Sequence, residues 1–305
     1  MAVDQEVTTT TAGPRWIVLT PSVDHEAWLT ALSGTAGDHG CTLEMVAAHA
    51  DPDAPDLENR WFVTHDAALV DRIDPSRVTV IVPQPETAAQ ATGALYGIDP
   101  PHDAFHASLL LARAMSVGPA ARLFSAADLA RNAEQIELFK GVYMRPPVAE
   151  RGSPVPVVAV ALGMFRFGRP GVGSQAIWSE RLFIFDTRSC IDEAPPGVLD
   201  VSGRPRTLVY GPYLALPPGR WKAVMRFSLD EEAATNELRF DWGHAGDFIS
   251  QTVTAGAPGI YEIEMVHAIM GPAEAWQFRI LLMQGAFDGR MTFQGGSVQK
   301  LPDAG

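Results

Sequence analysis

Two patterns of hydrophobic and polar residues divide the chain. Between residues 15 and 124, short apolar runs such as RWIVL (15–19), RWFVT (60–64) and VTVIV (78–82) alternate with segments whose apolar residues have helical spacing. Apolar strands without strict alternation, separated by helices, are typical of a parallel sheet covered on both faces. We therefore predict a small, doubly wound α/β domain of the flavodoxin or receiver type, with four or five strands.

The next segment is predicted to connect this domain to a second one. Residues 125–144, SAADLARNAEQIELFKGVYM, are predicted to form one helix, capped by Ser125 with Asp128 three residues later. The stretch RPPVAERGSPVP (145–156) then contains four prolines and a glycine, which favours a domain boundary. We predict a helical linker with a Pro-rich boundary over 125–154 and a disordered, Thr-rich lead-in over residues 1–14.

Strict alternation dominates after residue 155. It is clear in RWKAVMRFSL (220–229), ELRFDW (237–242), YEIEMV (261–266) and WQFRIL (276–281). Alternation of this kind is typical of antiparallel strands with one buried face. With VPVVAVALGMF and RLFIFDTR read as further strands, about eight strands predict an antiparallel β-sandwich, or jelly roll, over residues 155–302. In this reading Trp221, Trp242 and Trp276 lie in the core.

Charge and composition exclude several classes of partner. The net charge is −13, and residues 1–150 carry 20 acidic against 9 basic side chains. An acidic half without a basic stripe argues against binding to nucleic acid or to an anionic membrane. No apolar run approaches the roughly 20 residues of a membrane span, and the N-terminus lacks the pattern of a signal peptide. A cytoplasmic location is therefore expected, with a cell-surface or particle-associated role left open.

Catalytic and metal-binding motifs were sought without success. The turn TPSVDHE after the first strand lacks phosphate-binding glycines, and the sequence contains neither a Walker motif nor a GxSxG elbow. His102 and His106 could share a helical face but have no third ligand nearby, and Cys41 and Cys190 are predicted to be free thiols. No metal or cofactor is expected. The sequence does not exclude a pair of carboxylates for glycoside hydrolysis, and the candidate residues are Glu180, Asp241, Glu262 and Asp288.

The N-terminal half resembles a degenerate receiver domain. Asp24 and Glu26 match the acidic pair that follows the first strand in that family, whereas Thr64 or His65 stands where the phosphoacceptor aspartate is expected. The family also uses a lysine near its fifth strand, whereas the only lysine in the first 150 residues here is Lys140. The resemblance therefore implies a receiver-like scaffold without phosphoacceptor chemistry.

The C-terminal half resembles carbohydrate-binding modules that have a galactose-binding-like jelly roll. The resemblance rests on VYGPYLALPPGRWKAVMRFSL (209–229) and FRILLMQGAFDGRMTFQGGSVQK (278–300), and it covers about residues 155–302. It implies a β-sandwich that binds a sugar, without identifying the sugar.

The residue types of the second half fit this expectation. Sugar rings present apolar faces that stack on aromatic side chains, while their hydroxyls pair with charged and polar groups. Trp178 and Tyr210 are the rings expected at the surface. The predicted ligand-binding residues are Trp178, Glu180, Arg206, Tyr210, Tyr213, His244 and Asp288.

Three functional hypotheses follow from the sequence. The first is a non-catalytic protein that recognises a polysaccharide or a cell-envelope glycan through its sandwich. The second is a carbohydrate-active enzyme, a glycosyltransferase or glycosidase, with a site between the domains. The third is an assembly protein whose sandwich contacts a protein partner or a second copy of the chain.

Overall fold

A computed structural model describes residues 13–46, 59–100, 102–149 and 152–303. Residues 1–12 of the predicted disordered lead-in lie outside this part. The N-terminal domain contains a parallel five-stranded sheet with the strand order β2-β3-β1-β4-β5. Its strands are β1 (Arg15–Leu19), β2 (Thr42–Met45), β3 (Arg60–Thr64), β4 (Val78–Ile81) and β5 (Arg122–Phe124). Its helices are α1 (His25–Asp38), α2 (Ala88–Tyr96), α3 (His102–Ser116) and α4 (Ala126–Arg131).

Both faces of this sheet are covered, as the sequence predicts. Trp16 and Val18 point to one face, where they join a core that includes Leu111 of α3. Ile17 and Leu19 point to the other face and pack with a cluster that includes Trp28 of α1. The lack of polar alternation in β1 is thus explained by burial on both sides. The structure confirms the α/β class of this domain.

The predicted helix over 125–144 is wrong in its second half. Its start is confirmed, because Ser125 and Asp128 form a capping box. Helix α4 nevertheless ends at Arg131, and two antiparallel strands follow, β6 (Ile136–Phe139) and β7 (Val142–Met144). Gly141 supplies the positive φ of 74° that the turn between them requires. Buried residues of this hairpin pack against the cluster around Trp28, so the apolar face that resembled a helix belongs to a hairpin.

The first predicted strand of the sandwich is also wrong. Residues 156–162 form helix α5 (Pro156–Leu162), which begins with a proline at its first turn and continues into a 3₁₀ turn. A short continuous apolar run does not distinguish a buried strand from a helix by periodicity. RLFIFDTR similarly contributes only a two-residue strand, after a 3₁₀ helix at Glu180–Leu182.

The C-terminal domain is the predicted antiparallel β-sandwich. Sheet I has the order β10-β17-β12-β15, with β8 also pairing with β17, and sheet II has the order β14-β13-β16-β11-β9. The strands of sheet I are β8 (Gln175–Trp178), β10 (Val198–Asp200), β12 (Gly219–Leu229), β15 (Gly259–Ile269) and β17 (Arg290–Lys300). Those of sheet II are β9 (Ile184–Phe185), β11 (Arg206–Leu216), β13 (Leu238–His244), β14 (Asp247–Val253) and β16 (Glu274–Leu282).

Aromatic rings fill the space between the two sheets. Phe227 of sheet I stacks on Phe240 of sheet II with ring centroids 4.8 Å apart. Trp221, Trp242 and Trp276 are each 0% exposed, which confirms their predicted place in the core. Along the middle of β13 and β16 the inward side chains are therefore apolar, and Arg239, Asp241 and Arg279 between them point away from the sandwich.

The two domains share one continuous apolar core. Helix α3 lies against β11, where the buried hydroxyl of Ser108 accepts a hydrogen bond of 2.9 Å from the backbone N–H of Ala215. At the end of α3, Arg169 donates to the carbonyls of Met115, Val117 and Gly118 at 2.8–3.2 Å. A guanidinium at this position satisfies helix carbonyls that have no partner within the helix.

Candidate functional site

A row of paired residues crosses the outer face of sheet II, the face directed away from the sandwich core. Ser250 is paired with Asp241 across β14 and β13, and Asp241 is paired with Arg279 of β16. Arg279 is in turn paired with Tyr210 of β11, and Tyr210 with Ile184 of β9. Directly opposed residues on neighbouring strands have side chains on the same face, so this row brings them into mutual reach. The sandwich thus places polar and aromatic groups side by side on one open sheet surface.

Asp241 is the centre of this row and is completely buried, with 0% exposure. Its Oδ1 accepts a hydrogen bond of 2.7 Å from Ser250 and lies 2.9 Å from Nε of Arg239. Its Oδ2 accepts bonds of 3.1 Å from Arg239 and 2.8 Å from Arg279. Three hydrogen bonds and a close ion pair with Arg239 thus surround a carboxylate that has about four acceptor positions.

Arg279 is held between this carboxylate and an aromatic ring. Its Cζ lies 3.7 Å from the ring centroid of Phe248, which is close enough for a cation–π contact. Its side chain stays 29% exposed. The guanidinium is therefore fixed in orientation by Asp241 and Phe248 while part of it still meets solvent.

Tyr210 and Tyr213 stand together beside Arg279. Their ring centroids are 6.5 Å apart at an interplanar angle of 73°, and both residues are half-buried. Tyr213 is the extra residue of a β-bulge between Pro212 and Leu214, with a φ of +61°. Burial, together with the neighbouring Tyr210, raises the pKa of the Tyr213 phenol, while Arg279 acts in the opposite direction. The bulge turns Tyr213 toward the face that carries Tyr210. We call Tyr210, Tyr213, Arg239, Asp241, Phe248 and Arg279 the Tyr–Arg surface.

The expectation that Trp178 lies at the surface is wrong. Its side chain is 1% exposed and its ring centroid lies 5.1 Å from that of Phe278 in the core. The cause is the direction of β8, which alternates buried Ala176 and Trp178 with exposed Gln175 and Ile177. Trp178 is therefore a packing residue.

Arg206 and Glu180 contact residues outside the Tyr–Arg surface. Arg206 lies 2.7 Å from Asp186, donates to the hydroxyl of Ser189 at 2.6 Å and to the carbonyl of Asp200 at 3.1 Å. With 8% exposure of its side chain, it joins neighbouring loops. Glu180 begins the 3₁₀ helix after β8 and accepts a hydrogen bond of 2.8 Å from Ser179.

The remaining two predicted residues lie elsewhere on the sandwich. His244 is the last residue of β13, 2.5 Å from Glu274, and its ring lies 4.9 Å from that of Trp276. Asp288 is exposed and lines a cavity of about 280 Å³ with Asp230 and Glu232. Of the seven predicted residues, the structure brings together Tyr210 and Tyr213.

Arg279 and Phe248 were missed by the sequence reasoning. Alternation in WQFRIL does put Arg279 on the polar face of its strand, and that signal was available. Its position opposite Tyr210 depends on two register shifts in β11, which alternation alone does not reveal.

The α/β domain carries two neighbouring histidines, one that follows β3 and one at the start of α1. The rings of His25 and His65 lie 4.7 Å apart, and burial lowers the pKa of both. Asp24 is 2% exposed and accepts a hydrogen bond of 2.6 Å from Ser22. Thr64, one of the two residues that stand where the receiver resemblance expects the phosphoacceptor, is 1% exposed. These contacts hold this end of the sheet together.

A cavity of about 620 Å³ lies between the two domains. It is bordered by α2 and α3 on one side and by α5 and the 3₁₀ helix after β8 on the other. Its acidic residues include Glu86 and Asp103, of which Glu86 lies 3.4 Å from Arg166. Most of its other lining residues are apolar.

The part of the chain that the structure describes offers neither a metal-binding cluster of His, Cys, Asp or Glu nor a membrane-spanning helix. Within residues 13–46, 59–100, 102–149 and 152–303, no three His, Cys, Asp or Glu side chains are grouped so that they could hold a metal ion. In the same part of the chain, the helices are all too short or too polar to cross a bilayer.

Comparisons with known proteins give distant structural likenesses only. No protein-family model matches the chain, and no curated protein matches its sequence. Among solved structures, a family 16 carbohydrate-binding module is 7% identical, covers 35% of this chain and 78% of its own, with a TM-score of 0.26.

Two further structures are similar to the same extent. The CBM36-1 domain of a xylanase from the hindgut metagenome of Trinervitermes trinervoides is 14% identical, with 43% of this chain and 98% of its own covered at a TM-score of 0.27. The CBM22-1 xylan-binding domain from Paenibacillus barcinonensis is 12% identical, with 40% and 83% covered at a TM-score of 0.26.

Proposed function

We propose that this protein binds a glycan without catalysis, and that the ligand occupies the Tyr–Arg surface of sheet II. The observation that carries the proposal is the corner formed by Tyr210 and Tyr213, whose rings meet at 73° and are half-buried. Two rings at such an angle offer one apolar face for a sugar ring and a second wall beside it. A phenolic O–H on each ring can pair with a sugar hydroxyl.

The backbone at Tyr213 supports this reading. A non-glycine residue with a φ of +61° is uncommon and costs about 1 kcal/mol or more. Glycine would meet the backbone requirement of the bulge without this cost. Tyrosine at this position therefore has a role that depends on its ring, and binding of a ligand is such a role.

Polar groups next to the tyrosines would complete the recognition of a sugar. Gln277 is paired with Pro212 on the same face and can both donate and accept hydrogen bonds. Arg279 supplies further N–H donors and is already oriented by Asp241 and Phe248. A rigid set of donors beside aromatic rings lowers the entropy lost on binding.

The test is a glycan array probed with the full chain and two variants, Tyr210→Ala and Tyr213→Ala. We expect binding to at least one glycan class and a loss of about tenfold or more in affinity in each variant, because buried aromatic anchors dominate binding energy. Tyr143→Ala is the matched control, since Tyr143 is 52% exposed on the β6–β7 hairpin. Wild-type protein that is folded yet binds no glycan above background would overturn the proposal.

A further inference from the structure

We infer that the ligand of the Tyr–Arg surface is an anionic glycan, one whose sugar carries a carboxylate or a sulfate ester. This inference rests on the proposed function and names its substrate class. Two features of the surface support an anionic ligand: the hydrogen-bonding groups that it leaves free, and the charges around those groups.

The charge of the surface is positive although the chain as a whole is acidic. Outward positions of three neighbouring rows on sheet II contain three charged residues, Arg239, Asp241 and Arg279. The other outward positions in these rows are uncharged: Ile184, Thr207, Tyr210, Pro212, Gly243, Phe248, Ser250, Thr252, Gln277 and Leu281. Two guanidinium groups against one carboxylate leave one positive charge here, while the protein carries −13.

The single carboxylate is closed to a ligand. Asp241 is 0% exposed, and its oxygens are occupied by Ser250, Arg239 and Arg279. A sugar hydroxyl that approaches the surface finds no free carboxylate to accept its proton there. What the two arginines present instead are N–H donors, since a guanidinium accepts nothing. The surface therefore favours ligand groups that are rich in acceptor oxygens.

The environment of Arg279 strengthens its attraction for an anion. Phe248 covers one face of the guanidinium at 3.7 Å, and Asp241 engages one of its terminal N–H groups. Covering one face removes part of the water that would screen the charge. Planar guanidinium groups also match carboxylate and sulfate geometry better than an ammonium does. Tyr210 is paired with Arg279 across β11 and β16, and the ring of Tyr213 lies 6.5 Å from that of Tyr210, so the same ligand can meet both rings and the guanidinium.

The experiment compares a carboxylated trisaccharide with its neutral counterpart on the same backbone, and adds a sulfated trisaccharide. Titration calorimetry is carried out on the full chain with trigalacturonate, with the C6-reduced trigalactose counterpart and with a sulfated galactan trisaccharide, each at 25 and 200 mM salt. We expect at least one anionic trisaccharide to bind about tenfold more tightly than the neutral one at low salt, with a preference that shrinks at high salt. The two anionic ligands distinguish a carboxylate from a sulfate as the recognised group.

Three variants connect this preference to Arg279. Arg279→Gln should remove the preference for the anionic ligand. Arg279→Lys keeps a cation for Asp241, so this variant should fold normally. Its binding of the anionic ligand should still depend on salt but should be weaker than that of wild type. The matched control is Arg226→Gln, because Arg226 is 53% exposed on β12 of sheet I. It should behave as wild type.

The outcomes separate this inference from the proposed function. If the neutral trisaccharide binds as well as both anionic ones, with an affinity that Tyr213→Ala abolishes, glycan binding stands and the inference is overturned. If an anionic ligand binds and Arg279→Lys and Arg279→Gln leave its affinity unchanged, the inference is likewise overturned. If none of the three ligands and no glycan on the array binds, both fail.

Discussion

Replacement of Asp241 by asparagine is the sharpest test of how the Tyr–Arg surface is built. The substitution keeps the shape of the side chain but removes the negative charge that two arginines share. An asparagine has one carbonyl oxygen, and its NH₂ group would face N–H donors that need an acceptor. We therefore expect a marked loss of stability.

The size of that loss follows from burial and exposure. Removing one partner of a fully buried ion pair costs about 3–5 kcal/mol. Asp241 is 0% exposed, but Arg239 and Arg279 are 34% and 29% exposed, so solvent screens part of the uncompensated charge. We therefore expect a decrease of about 2–3 kcal/mol in the free energy of unfolding, which is about 4–12 °C in Tm for a cooperative unit of 150–250 residues.

Thermal melting and urea unfolding of the Asp241→Asn variant measure this directly. The matched control is Glu262→Gln, which makes the same chemical change at a residue that is 59% exposed and 4.0 Å from Arg226. An exposed pair of this kind contributes about 0–1 kcal/mol, so the control should stay within about 0.5 kcal/mol of wild type. If Asp241→Asn is as stable as Glu262→Gln, the buried carboxylate of Asp241 does not stabilise the fold by compensating the two arginines.

Three further predictions concern the α/β domain and its contact with the sandwich. Ser125→Ala should lower the free energy of unfolding by about 1 kcal/mol through loss of the capping box with Asp128, and an unchanged urea midpoint would contradict the cap. Burial lowers the pKa of His25 and His65, so below about pH 6.5 the unfolded chain binds protons that the folded protein does not bind. The free energy of unfolding should therefore be highest above that pH and decrease as the pH falls below it. Chemical unfolding between pH 7.5 and 5 checks this, and His65→Gln should show a smaller fall than wild type. Arg169→Ala should increase hydrogen exchange at the end of α3 and lower stability by about 1–3 kcal/mol, since the carbonyls there lose their donor; exchange identical to wild type would contradict this role.

Much of the fold could be predicted because the burial of each strand determines its pattern of apolar and polar residues. Strands β1, β3 and β4 of the parallel sheet are buried along nearly their whole length, and β12 and β16 of the sandwich alternate between buried and more exposed residues. The edge strands β2 and β5 are more exposed and leave no such pattern. The errors fall where local pattern is ambiguous. VPVVAVAL is rich in β-branched residues, yet Pro156 starts a helix there, because packing beside β8 decides between two structures that the run itself permits.

The site was predicted less well for a related reason. Alternation assigns each side chain to a face, and it placed Trp242 and Trp276 correctly. It does not give the register between strands distant in sequence, which is what sets Arg279 between Asp241 and Tyr210. Trp178 was misjudged because its strand is only four residues long, too short for its alternation to be recognised.

Binding of a glycan on the outer face of sheet II can be mapped directly by NMR. Amide chemical shifts of the deuterated protein would be followed during titration with the tightest glycan from the array. We expect the largest changes at Tyr210, Tyr213, Gln277 and Arg279. Changes confined to the interdomain cavity beside α2 and α5, or to the loop at Asp288, would contradict it.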